Sequence, residues 1–188
     1  MTYLKYISVF IATAFLSVSA LATPYEVDYA QSSLSFSGTH AGDAFEGEFE
    51  DWAAEIIFDE NNLAESSLTA TFATDSAKTG NNMYDGTLPQ ADWFDSRNHP
   101  EAVFQSTEIT ASNREEGTYT VTGNLTIRGI TQPVTFDFNL SDLTNEPVTA
   151  QATLSVKRLD FGIGEKSDPT ADWVSEDIQI DIQLLTWP

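Results

Sequence analysis

An all-β fold, an antiparallel up-and-down barrel of about eight strands, is what this sequence predicts, and three observations carry the prediction. Apolar and polar residues alternate with period two in segment after segment, the pattern of strands with one dry face. Short clusters of turn-forming residues separate these segments, which suits hairpin connections between antiparallel neighbours. Between them lies no helical pattern to supply the crossovers that parallel strands require.

The first segment has to be set aside before the fold is read. Residues 1–22 carry Lys5 near the start, an apolar stretch over residues 7–18 and a small-residue ending at Ala20, Leu21 and Ala22, the layout of a cleavable secretory signal peptide. The apolar stretch, about a dozen residues, falls short of the roughly 20 that span a bilayer. Cleavage after Ala22 leaves a single domain over residues 23–188, with a periplasmic location expected. The chain has no cysteine, so no disulfide staples it and core packing must hold the fold.

Along that domain, strands are expected around residues 34–37, 44–49, 55–58, 67–73 and 102–110. The clearest alternation follows. Tyr119, Val121, Leu125 and Ile127 share one face across Gly123, with Thr118, Thr120, Thr122 and Thr126 on the other. Val134, Phe136, Phe138 and Leu140 repeat the pattern after a turn at Gly129. Ala150, Ala152, Leu154 and Val156 alternate with Gln151, Thr153 and Ser155, and Ile178, Ile180, Ile182 and Leu184 alternate with Asp177, Gln179, Asp181 and Gln183. Turn clusters at residues 59–62, 113–117 and 141–147 fit an antiparallel meander. Over residues 76–95 the alternation fails, with Asn81, Asn82, Gly86 and Pro89 breaking regularity, and one or two short helical turns are expected there. A connection this long in a compact domain is read as a lid or cavity wall.

Closure into a barrel removes the unpaired edges that would otherwise template aggregation. At about eight strands the interior can hold one small ligand. The surface chemistry excludes other classes. Eight basic residues against 29 acidic ones give a formal net charge of −21, and loss of Lys5 with the leader lowers it by one more. Phosphate binding needs clustered cations, so nucleic acid is not a partner. The acidity serves solubility, tolerance of a salty medium, or steering toward a basic partner.

Aromatic residues supply the functional clue, since Phe36, Phe45, Phe49, Phe58, Phe72, Phe94, Phe104, Phe136 and Phe138 all fall on or beside predicted strands. They fill an ordinary core or line a cavity, and periodicity does not separate the two. If a cavity exists, apolar ligand gains roughly 0.8 kcal/mol per buried CH₂, so about ten carbons contribute on the order of 8 kcal/mol before association costs. His40 and His99 are the only histidines, and their spacing does not resemble a metal site. Glu46, Glu48 and Glu50 have period two and point to solvent from one strand. Asp92 and Asp95 read as caps of helical turns. The glycosylation pattern at Asn124-Leu125-Thr126 falls inside a predicted strand. No nucleophile elbow, zinc helix or phosphate-cradling glycine loop occurs.

Several stretches together carry a likeness. LPQADWFDSRNHPEAVFQST over residues 88–107 and GNLTIRGITQPVTFDF over residues 123–138 are joined by the opening Tyr25-Glu26-Val27-Asp28, by Leu34-Ser35-Phe36, by Phe45-Glu46-Gly47-Glu48-Phe49 and by Arg158-Leu159-Asp160-Phe161-Gly162. This combination resembles the YceI-like family of secreted lipid-binding proteins, which fold as lipocalin-like antiparallel barrels and carry polyisoprenoid chains inside. The resemblance implies a carrier and no catalytic cofactor. The bound ligand it implies is an isoprenoid lipid, either a polyprenyl chain or an isoprenoid quinone. The tail is then held among Phe36, Phe49, Phe72, Phe104, Leu125, Phe136 and Phe138 of the barrel and Met83, Leu88, Trp93 and Phe94 of the connection, with His40 near the headgroup. One departure bears on the headgroup. Many relatives carry an arginine-aspartate pair where this chain has Tyr84-Asp85, which turns the expectation from a pyrophosphate toward a neutral quinone.

Two other functions compete with this one. An accessory subunit of a membrane b-type cytochrome would use the acidic surface as its docking face. An enzyme acting on isoprenoid lipids would need a carboxylate or histidine in the cavity wall. A transient membrane contact and a homodimer are also left open by the sequence.

Overall fold

The computed structural model describes residues 22–112, 117–141 and 143–188. The leader expected over residues 1–22 therefore lies outside the described residues except for Ala22, as does most of the turn cluster at residues 113–117.

Eight strands close an antiparallel barrel. In order around it they are β1 (Thr23–Val27), β4 (Trp52–Phe58), β5 (Ser67–Ala73), β7 (Glu101–Ala111), β8 (Thr118–Ile127), β9 (Ile130–Leu140), β10 (Val148–Lys157) and β11 (Asp177–Trp187), with β11 returning to β1. A hairpin of β2 (Ser33–His40) and β3 (Asp43–Phe49) is inserted after β1, and the two-residue β6 (Ala77–Lys78) pairs with β3. The expected strands are all present. Several run longer than alternation alone indicated, the segment expected at residues 55–58 beginning at Trp52 because Trp52 pairs with Phe72 across β4 and β5.

One strand explains why the two ends of the barrel differ. Across from β10, β11 pairs with β2 over Gln179–Gln183 and with β1 over Thr186 and Trp187. β1 seals its end by also pairing Thr23 with Phe58. At the other end β2 runs on to His40, which bridges to Val174. Two long connections, residues 74–100 and 158–176, gather at that end. The first holds the only α-helix among the described residues, α1 (Asn82–Thr87), started by the Asn81 side chain accepting from Met83 N at 3.0 Å. Apart from β6, this region has the irregular, briefly helical character that its broken alternation predicts.

The period-two faces lie as expected. Val121, Leu125 and Ile127 are buried on the inner face of β8, while on the outer face Thr120 donates to Asp137 at 2.6 Å and the Thr122–Thr135 and Thr126–Thr131 hydroxyl pairs lie at 3.1 and 2.8 Å. Such cross-strand pairs are the unit of sheet stabilisation. Glu46 and Glu48 point outward from β3, and Glu50 just beyond it is exposed. Two interior glycines let aromatic rings lie against the backbone: a Cβ on Gly47 would collide with the Phe36 ring, and one on Gly123 would sit 2.5 Å from Phe104 Cζ.

Candidate functional site

The inner faces of the strands do not meet. A cavity of about 170 Å³ runs through the barrel, walled by Phe36, Phe49, Phe72, Phe104, Leu125 and Phe136 from the strands and capped by Leu88, Trp93 and Phe94 from the long connection. A second space of about 70 Å³ continues toward the β1 end and contains Phe138; it shares Leu68, Phe136, Ile182 and Leu184 with the first. A third of about 170 Å³ forms the mouth, where His40 and Met83 lie, and shares Phe36, Phe45, Leu88, Trp93 and Val174 with the main cavity. The three spaces adjoin one another in series, and every residue that the sequence reading placed around the tail or the headgroup lines one of them.

Small side chains help keep the lumen open. Ala54 and Ala70 are directly opposed across β4 and β5 and both face the main cavity, while Ala150 and Ala152 face the inner space. Sequence reasoning passed over Ala54 and Ala70, and it marked Ala150, Ala152, Ile178, Ile180 and Ile182 as dry faces of their strands without placing them in a cavity wall.

At the mouth the polar lining residues are His40, Thr79, Tyr84 and Thr87. Tyr84 on α1 places its hydroxyl 2.9 Å from His40 Nδ1, with the two rings edge to face. Asp85 anchors this helix by accepting from both the backbone N and the Oγ1 of Thr79 at 2.7 Å, and those bonds hold its carboxyl below the ordinary range. Among the described residues no carboxylate or histidine lines the two interior spaces.

Arg158 is the one charged residue lining the main cavity among the described residues, and sequence analysis assigned it no role. It is 2% exposed. Nε donates to Ser175 O at 3.1 Å, Nη1 to Ile163 O at 2.8 Å, and Nη2 to Val174 O at 2.9 Å and the Asp168 carboxylate at 2.6 Å. Its guanidinium carbon also lies 5.9 Å from the centre of the Trp93 ring, a cation–π distance. Asp168, 4% exposed, accepts in addition from the backbone N of Asp172 at 2.8 Å and of Val174 at 2.9 Å. Burial pushes its carboxyl up, but the N–H groups of Val174, Trp173 and Asp172 and the Arg158 charge outweigh that and hold it below the usual carboxylate range. The pair thus fixes the connection of residues 158–176 against the cavity, and its cation is already engaged by protein acceptors.

The aspartates beside Trp93 act differently from the local caps expected. Asp92 reaches across to accept from Lys166 N at 2.9 Å and Ser167 N at 2.8 Å, clasping the two long connections together. Arg128, in the β8–β9 turn, reinforces the clasp by donating to Gly162 O and to Ala91 O. Asp95 accepts from the Asn98 side chain, and His99 lies 4.0 Å from it. No group of three or more His, Cys, Asp or Glu is placed to hold a metal ion among the described residues.

A family model described as the YceI-like domain matches residues 25–185. The chain belongs to the YceI-like family. A UPF0312 protein of Pectobacterium atrosepticum is 31% identical over 174 residues, covering 88% of this YceI-like chain and 87% of that protein. Another from Yersinia enterocolitica is 31% identical over 171 residues, covering 87% and 88%. Among solved structures, BcnA of Burkholderia cenocepacia superposes with a TM-score of 0.79 at 29% identity, covering 85% of this chain and 99% of that one. A polyisoprenoid binding domain from Saccharophagus degradans, described as implicated in plant cell wall breakdown, superposes at 0.65 with 16% identity over 89% of this chain and 98% of that one. At that identity the likeness is one of fold. The lipocalin-like barrel implied by the sequence resemblance is thus the architecture of this YceI-like protein and of its solved relatives.

Proposed function

We propose that this protein is a non-catalytic periplasmic carrier that holds an isoprenoid lipid in its barrel. The observation that carries the reading is the series of three adjoining spaces, largely apolar in its interior and ending at a mouth where His40 and Tyr84 are paired. That shape suits one long apolar tail with a small polar head. The polyisoprenoid binding domain from Saccharophagus degradans shares the fold, and the leader-like residues 1–22 motivate the location. Among the described residues no carboxylate or histidine lines the two interior spaces, and His and carboxylates are the usual general acids and bases, which favours carriage over chemistry.

The mouth favours an uncharged, hydrogen-bonding headgroup such as a quinone over a diphosphate. Its walls contribute His40, Tyr84, Thr79 and Thr87 but no lysine or arginine, and the nearby Arg158 is spoken for by Asp168. A diphosphate would enter a protein of net charge −21 without a free cation to meet it. The test is native mass spectrometry of protein purified from a quinone-producing host, followed by organic extraction. A stoichiometric isoprenoid adduct is expected, and its extract names the headgroup. An empty protein that takes up no added quinone would overturn the carrier reading and leave the acidic surface, as a docking face for a membrane cytochrome, the better account.

A further inference from the structure

Among the described residues two apolar side chains stand farthest out into solvent, and both belong to the connections that gather at the mouth end of the barrel. Met83 is 70% exposed and Trp173 is 63% exposed; the next large apolar side chain, Tyr29, is 48% exposed and is occupied by edge-on packing with Trp52 and a hydrogen bond from Ala54 N. Met83 precedes Tyr84 on α1, and Trp173 precedes Val174, the residue that bridges to His40. An exposed apolar side chain thus flanks the His40–Tyr84 contact on each connection, beside Tyr84 itself on one and beside the bridge partner of His40 on the other.

Trp173 is not exposed because its loop is loose. Its backbone N–H points at the Asp168 carboxylate, 3.3 Å from either oxygen, and its carbonyl accepts from Ala41 N at 2.7 Å. Its neighbour Val174 is buried, with its own N–H on Asp168 and its carbonyl on Arg158. A buried ion pair therefore holds in place the backbone that presents a large amphipathic ring to water. An exposed tryptophan costs solvation that folding could have avoided, and a rigidly presented one is the residue suited to the headgroup level of a bilayer.

We propose that the protein docks mouth-down on an electrically neutral bilayer surface, with Trp173 and Met83 entering the headgroup layer on either side of the opening. The proposal deepens the carrier reading and rests on it for its purpose: an apolar tail then passes between bilayer and barrel without crossing water. The lipid class follows from charge. Asp43 is paired with His40 at the rim, Asp172 adjoins Trp173 and Asp85 adjoins Tyr84, so an anionic surface is repelled and a zwitterionic one is accepted. Contact is shallow and reversible, because two side chains bury too little for permanent anchoring.

The experiment is flotation of the exported protein with phosphatidylcholine vesicles, with and without added phosphatidylglycerol, for the wild type, Trp173→Ala and Met83→Ser, alongside extraction of bound isoprenoid from each preparation. Wild type is expected to float with phosphatidylcholine, less with phosphatidylglycerol, and no less at high salt. Trp173→Ala is expected to lose about tenfold in vesicle affinity, the loss of one buried aromatic side chain, while keeping its cargo, since that side chain does not line the cavity. Met83→Ser is expected to weaken flotation as well. Trp173→Ala floating like wild type, or wild type that ignores phosphatidylcholine, would overturn the docking proposal even if cargo is present. Flotation lost at high salt would overturn it too, because contact through apolar side chains is not screened by salt. Flotation through Trp173 by a protein that never holds isoprenoid would sink the carrier reading and leave the docking surface standing.

Discussion

The Tyr84 hydroxyl lies 2.9 Å from His40 Nδ1, joining α1 to the end of β2 across residues 44 apart in sequence. This contact places a hydrogen-bonding pair at the mouth of a largely apolar lumen. One of the two groups donates to the other, and the hydroxyl and the second ring nitrogen each keep capacity for a further hydrogen bond to a headgroup.

Tyr84→Phe removes one hydroxyl and little volume. Retention of an isoprenoid quinone is expected to fall by about tenfold at most, the worth of one hydrogen bond, with retention of a headless polyprene unchanged. Tyr84→Arg is expected to turn preference toward a polyprenyl diphosphate. Competition between these ligands, read by extraction, checks both; equal changes for headed and headless ligands would remove the mouth as the headgroup site.

Ala54 and Ala70 oppose one another across β4 and β5 and face the main cavity. Ala70→Phe is expected to fill the lumen with no loss of melting temperature, because added atoms enter empty space, and to abolish uptake of a long tail. The measurements are thermal melting and quinone uptake. Uptake at the wild-type level by a folded variant would show that the tail takes another route. Phe136→Asp, at the junction of the two interior spaces, is expected to abolish retention as well.

Asp168 and Arg158 stand or fall together. Asp168→Ala leaves an uncompensated buried guanidinium and is expected to destabilise the fold by about 3–5 kcal/mol, whereas Arg158→Met with Asp168→Leu is expected to recover much of that. The depressed carboxyl of Asp168 sets a pH dependence. Its contribution is fully present above the unfolded value of about 3.9 and is lost as pH falls through the lower folded value, so stability declines on the acid side only. Denaturant melts of wild type and Asp168→Asn across that window give the comparison, and equal acid slopes would contradict the assignment.

Gly123 lies under the Phe104 ring and beside Gln105 O. Gly123→Ala is expected to cost about 1–3 kcal/mol through overpacking, seen as a lowered melting temperature. An unchanged melt would mean that the β7–β8 pair yields there at no cost, with the bulge between Ser106 and Glu108 as the place where it gives.

By itself the sequence determined that the chain is a meander of antiparallel strands and which face of each is dry. Period two is a local property: Val121, Phe136, Leu154 and Ile180 declare their face through their immediate neighbours, whatever the rest of the chain does. Residues 76–95 declared their irregularity the same way. The family likeness then picked out Phe36, Trp93 and Phe104 as cavity residues. What only the tertiary structure decided is that those dry faces enclose a lumen instead of packing solid, since its width depends on closure of β11 onto β1 and on the register that sets Ala54 against Ala70. The same holds for the contacts that build the mouth. His40 meets Tyr84, Asp92 clasps residues 166 and 167, and Arg158 with Asp168 holds Trp173 out in water because two long connections converge at one end of the barrel, and no local pattern records where connections converge.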